Sequence, residues 1–139
     1  MPTIKDQLIL HEDLRLKPYV DTVGKMTIGV GRNLDDKGIS NLTAMQMLDE
    51  DIKECVDDLR GFVWWLNLDD IRKRVLIDMR FNLGPAGFRK FKNTLKAVSE
   101  GRYSDAADGM LNSLWAKQVK SRAIRLANMM RTGRDYASD

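Results

Sequence analysis

Apolar positions change their spacing repeatedly along the chain, and each change marks an element. Ile4 and Leu8 recur at helical spacing behind Thr3, which can cap a helix with Asp6 at the third helical position. A helix over residues 3–12 is expected, with those two side chains on its apolar face. From Tyr19 to Val30 the pattern shortens to a β-hairpin around Gly24. Folding the strands symmetrically about Gly24 sets Asp21 opposite Thr27, on one face with Cβ atoms roughly 5 Å apart. Met26, Ile28 and Val30 then form the core face. Thr27, Gly29 and Gly31 form a face nearly bare of side chains, flat enough for a bulky ring to lie against backbone.

Residues 32–38 read as a loop. Ser40 caps a long helix, along which Leu48, Ile52, Val56 and Leu59 recur through to about Arg60, roughly 30 Å at the helical rise. A helix of that length with one modest apolar stripe often bridges two lobes. Gly61 ends it, and the apolar run Phe62-Val63-Trp64-Trp65-Leu66 reads as core. Asn67 can cap the next helix with Asp70 three positions on. Ile71, Val75, Leu76, Met79 and Leu83 mark its buried face, and Gly84-Pro85 stops it. Phe88 and Phe91 alternate with Arg89, Lys90 and Lys92, a spacing that suits stacking on bases and equally suits apolar anchors with basic residues on the solvent side. Short helices follow, broken at Gly101 and Gly109. Trp115 and a last helix, capped by Ser121 and closed at Gly133, complete an α+β, mostly helical chain.

Composition narrows the class. A chain of 139 residues suits one domain that buries a core without disulfides or metal. Cys55 is the only cysteine, so no disulfide framework or cysteine-based zinc site is available, as for a protein made in a reducing cytoplasm. No signal-peptide pattern and no apolar stretch of membrane-spanning length occurs, so neither self-export nor membrane insertion is expected. The net charge of +3 hides a partition, with +1 over residues 1–34, −6 over 35–59 and +8 over 60–139. A basic C-terminal half fits polyanionic partners such as the bacterial envelope, and equally a solvated surface with no partner. No nucleic-acid motif accompanies the charge, so no nucleic-acid partner is expected.

The hairpin is where chemistry gathers. Glu12 closes the first helix, and Asp21 and Thr27 edge the bare face. The spacing of Glu12, eight residues, Asp21, five residues, Thr27 resembles the catalytic signature of the phage T4-type lysozymes. Flanking residues agree: Leu14-Arg15-Leu16-Lys17 before Tyr19, Asp21-Thr22 before Gly24, then Thr27-Ile28-Gly29 and Gly31. Far downstream, Ser113 and Trp115, Arg122-Ala123 and Arg131-Thr132-Gly133 resemble the C-terminal pattern of the same family, so the likeness spans most of the chain.

The resemblance implies a lysozyme-like fold: one domain over 1–139, with a hairpin lobe at 13–39, a connecting helix at 40–60, a helical lobe at 61–139 and the helix 3–12 at the lobe junction. It implies an endolysin that hydrolyses the β-1,4 bond between N-acetylmuramic acid and N-acetylglucosamine in peptidoglycan, for host cell lysis. Glu12 is the expected acid, Asp21 the base, and Thr27 the residue that helps hold the water. Gly31, Phe81, Asn82 and Thr94 are expected along the substrate groove, although a helical aromatic such as Phe81 suits a core equally well. Arg122 matches a family arginine near the catalytic glutamate. Arg32 stands where the family has a histidine, and an ion pair with Asp51 is expected. Neither metal nor organic cofactor is implied, because two carboxylates supply acid and base. The expected outcome at the sugar is inversion. The expected partner is the peptidoglycan glycan strand, met by a monomer that is made in the bacterial host cytoplasm and reaches the wall after release by another factor. The chain is shorter than the family pattern between hairpin and long helix. The closest rivals are a lytic transglycosylase on the same bond and a non-catalytic wall-binding module. His11, the lone histidine, receives no role.

Overall fold

The computed structural model describes residues 1–136, so the last three residues of the expected helical region lie outside it. The chain divides into two compact units, Met1–Leu48 and Asp49–Asp139, and the boundary falls inside a helix.

In the first unit, α1 (Ile4–Glu12) opens with Thr3 and Asp6 bonded reciprocally through each other's side chain and backbone. That is the capping box expected from their spacing. Ile4 and Leu8, expected on a buried face, are exposed. A three-stranded antiparallel sheet follows in the order β1 (Arg15–Val20), β2 (Met26–Gly29) and β3 (Arg32–Asn33). The third strand and the single turn α2 (Leu34–Lys37) occupy most of the segment expected to be loop. Asn33 caps α2 by accepting the Asp36 N–H, and the first turn of α2 reaches back to β2, where Asp35 accepts the Met26 N–H at 2.7 Å.

The register corrects the expected pairing. Tyr19 lies opposite Thr27 and Val20 opposite Met26, so Asp21 faces Lys25 and not Thr27. The physical reason is the turn. Gly24, at φ +86°, is the last of three loop residues and not the midpoint, in the manner of a type I turn closed by a left-handed residue. The expected faces are corrected as well, independently of the register, whose two-residue shift keeps the alternation: Thr27 is the buried residue, at 3% exposure, while Met26 and Val30 are exposed.

The long helix α3 (Asn41–Leu59) begins as expected, with Ser40 accepting the Thr43 N–H. Of its apolar stripe only Leu59, joined by Cys55, is fully buried. In the second unit α4 (Asp70–Arg89) is capped by Asp69, not Asn67. Gly84-Pro85 breaks α4 rather than ending it, with Gly84 at φ +76° and helix resuming to Arg89. The run before α4 divides: Trp65 is buried, Phe62 and Trp64 stack on each other, and Val63 and Leu66 face solvent.

Four further helices complete the unit: α5 (Lys92–Ser99), α6 (Tyr103–Leu111), α7 (Leu114–Val119) and α8 (Ser121–Thr132). Gly109 lies within α6 instead of breaking it, and α8 is entered through Lys120 at φ +54° with no side-chain cap from Ser121. Leu76, Met79, Phe88, Met110 and Met130 form the heart of the core. Polar ties frame it. Asp58 of α3 receives Arg80 at 2.6 Å and Arg89 at 2.7 Å, and these guanidinium hydrogen bonds hold its carboxyl down at about 2.

Candidate active site

Residues 1–48 place Glu12, Asp21, Thr27 and Gly31 on three adjoining pieces of chain. Glu12 is the last residue of α1, because Asp13 turns to φ +70° and sends its N–H back to Ile9 at 2.8 Å. A non-glycine residue there is strained backbone, the kind that persists where the surroundings fix it. The Glu12 side chain is exposed. It lies against the backbone of Gly31: a Cβ added to Gly31 would stand 2.6 Å from Glu12 Oε2 and 3.0 Å from its carboxyl carbon.

Asp21 is fixed by the turn it begins. Its Oδ1 accepts the N–H of Val23 at 3.0 Å and of Lys25 at 2.8 Å, so one carboxylate oxygen is committed to the hairpin. Its own N–H donates to the Lys25 carbonyl at 2.9 Å. Thr27 donates its hydroxyl to that same carbonyl at 3.0 Å. Asp21 and Thr27, which do not pair across the strands, are therefore joined through the backbone of Lys25. The Lys25 ammonium is in turn anchored on Asp36 of α2 at 3.1 Å.

This junction went unread in the sequence. Its signal was the spacing of an acid, two residues, Gly24 and Lys25, which fits a three-residue turn capped by its first side chain as well as it fits a symmetric one.

Arg32, expected to pair with Asp51, donates Nε to the Gly38 carbonyl at 3.0 Å, which ties β3 to the residue after α2. Asp51 is exposed on α3. In the second unit Arg122 pairs with Asp78, with its Nη2 at 2.6 Å. Phe81 and Asn82 are exposed on α4, and Asn82 accepts the Trp115 indole N–H at 2.8 Å. Thr94 and Trp115 line a cavity of about 570 Å³ together with Phe91, Asn93 and Asn112. Trp115 thus both holds Asn82 and lines the same cavity as Thr94. Among the described residues no group of three or more His, Cys, Asp or Glu side chains is placed to hold a metal, and no helix is long and apolar enough to cross a membrane.

Residues 10–131 match the sequence profile of the family described as phage lysozyme. Over 94% of its length the chain is 29% identical to the probable T4-type lysozyme 1 of Dictyostelium discoideum, covering 95% of that protein. It is 29% identical to the SAR-endolysin of Escherichia phage Mu, over 86% of this chain and 71% of that one. It is also 26% identical to the pre-baseplate central spike protein Gp5 of Enterobacteria phage T4, of which it covers 28%.

Proposed function

Since the chain belongs to the phage lysozyme family and is a glycoside hydrolase with a role in degrading peptidoglycan, we propose that it cleaves the β-1,4 bond between N-acetylmuramic acid and N-acetylglucosamine with inversion, in host cell lysis. Glu12, as the carboxylic acid, gives its proton to the bridging oxygen as the C1–O bond breaks. Water attacks C1 from the opposite face and its proton passes to Asp21. The leaving fragment departs as an alcohol carrying the proton from Glu12, the α product keeps the hydroxyl of the water, and proton exchange with solvent returns Glu12 to the acid and Asp21 to the carboxylate.

The observation that supports this reading is the shared Lys25 junction. It commits Asp21 Oδ1 to the turn, which leaves Oδ2 to accept from water. It also commits the one hydroxyl hydrogen of Thr27, which leaves that oxygen as an acceptor. A water that donates one hydrogen to Asp21 and the other to Thr27 presents its lone pairs to the sugar. Synthesis in the host cytoplasm, followed by release to the wall through another factor, fits the same reading.

Lysis of Gram-negative sacculi by wild type and Glu12→Gln tests the assignment. The amide fills the same space without an acidic proton, and turnover should fall about 100- to 10,000-fold with the fold retained. Unchanged lysis would remove Glu12 from the chemistry. Mass spectrometry of the fragments separates hydrolysis from transglycosylation, whose anhydro product is lighter by one water. Proton NMR read before mutarotation should show the α anomer first, and β product at the earliest times would make Asp21 a nucleophile.

A further inference from the structure

We propose that Gly31 is a positioning residue for the general acid: its missing side chain is the space that the Glu12 carboxyl occupies, so that glycine at 31 sets where the proton is delivered. The proposal rests on the reading of Glu12 as the acid. It does not require Gly31 to touch the sugar. A Cβ at position 31 would meet three atoms of the Glu12 side chain, Oε2 at 2.6 Å, Cδ at 3.0 Å and Cγ at 3.1 Å. Real Cβ atoms essentially never approach a carboxylate oxygen so closely, so any side chain at 31 displaces the carboxyl. Because α1 stops at Glu12 and the chain turns sharply at Asp13, the Glu12 backbone has little freedom to follow. The carboxyl would have to swing by its own torsions. A shift of about 1 Å in a reacting group is enough to cost about 100-fold in rate.

Gly31 also carries φ +66°, a conformation that disfavours any side chain, so loss of activity alone would prove nothing about Glu12. The same sheet supplies the control. Gly29 has φ +70°, yet a Cβ built there meets nothing within 4 Å. Alanine at 29 and alanine at 31 therefore meet a similarly positive φ, and only the second collides with the acid. Asparagine, which tolerates the left-handed region better than alanine, gives a second matched pair should the first prove unstable.

The experiment compares Gly29→Ala with Gly31→Ala, and Gly29→Asn with Gly31→Asn, by thermal melting and by steady-state kinetics on two substrates. One is peptidoglycan. The other is a 2,4-dinitrophenyl glycoside of the same sugar chain, whose leaving group departs without a proton. The proposal expects similar melting temperatures within each pair. It expects the position-31 variants to lose about 100-fold or more in kcat on peptidoglycan, with KM little changed and most of that loss gone on the dinitrophenyl glycoside. It expects the position-29 variants, altered on the face read as the ring's, to show any loss equally on both substrates. Equal losses at 29 and 31, a rise in KM with kcat intact, or an equal loss on both substrates at 31 would each overturn it. Failure of wild type to release reducing ends from peptidoglycan would instead overturn the reading of the site on which the proposal rests.

Discussion

Lys25 grips Asp21 through both of its backbone groups: its N–H donates to the Asp21 carboxylate at 2.8 Å and its carbonyl accepts the Asp21 N–H at 2.9 Å. A side chain so held serves the hairpin and, in the proposed reaction, is also the base, and two substitutions separate the duties. Asp21→Asn keeps an oxygen that can accept from Val23 and Lys25, so its melting temperature should stay near wild type while lysis falls about 100-fold or more. Asp21→Ala loses both bonds and should be destabilised by a further 1 to 2 kcal/mol or so. Equal melting temperatures for the two would remove the structural duty.

Thr27 allows a similar separation. Its hydroxyl donates to the Lys25 carbonyl from a site only 3% exposed. Thr27→Val preserves volume but removes that donor, at a cost of about 1 kcal/mol, and also removes the acceptor proposed for the attacking water. Thr27→Ser keeps both. Lysis rates should follow the hydroxyl, with serine close to wild type and valine well below it, and denaturant melts on the same proteins give the stability part.

In the helical unit the Asp58 cluster sets an acid limit. The bond from Arg89, with Arg80 beside it, holds the Asp58 carboxyl at about 2, below its ordinary 3.8. A depressed folded value means that its stabilisation is fully present above 3.8 and is lost as pH falls through about 2. Asp58→Asn removes the close negative charge from Arg80, at 6% exposure, leaving Glu54 at 3.6 Å as its acidic partner beside Cys55 Sγ, and should cost about 3 kcal/mol near neutrality. Urea melts of both proteins from neutral pH downward should show the gap closing across that acid window. A gap independent of pH would mean that the charge of Asp58 contributes nothing.

Arg72 closes the end of α8. Its Nε donates to the Met130 carbonyl at 2.7 Å and its Nη2 to the Arg131 carbonyl at 3.2 Å, while the guanidinium lies 3.7 Å over the Tyr103 ring. Lysine keeps the charge but not the planar fork or the stack. Arg72→Lys should cost about 1 to 2 kcal/mol in a denaturant melt, and a loss within a few tenths would show that charge alone suffices.

Much of this was legible because it is local. The capping box at Thr3 and Asp6, the start of α3 at Ser40 and the spacing of Glu12, Asp21 and Thr27 are written within a few residues of one another. The register was not. Gly24 suits the third position of a three-residue turn as readily as the centre of a symmetric one, and choosing wrongly moved the partner of Thr27 by two residues, from Tyr19 to Asp21. That even shift keeps the alternation, so the buried face was misread separately, from apolar residues on a sheet whose Met26 and Val30 are exposed. Caps failed where neighbours competed, Asp69 displacing Asn67 before α4 and Lys120 leading into α8 ahead of Ser121. The bond from Trp115 to Asn82 joins residues far apart in the chain, and no periodicity announces such a pair.

The distribution of buried side chains has a consequence for motion. Every residue of the apolar core lies between Leu59 and Met130, whereas among residues 1–48 the one fully buried side chain is the hydroxyl-bearing Thr27. Regions with few buried apolar contacts open at lower free energy than regions built on a core. Amide hydrogen exchange should therefore be fast through α1 and the sheet and slow through α4 and α8. On heating, bacteriolytic activity should then fade before the bulk of the helical circular-dichroism signal, because the proposed catalytic carboxylates sit on the part of the chain expected to loosen first.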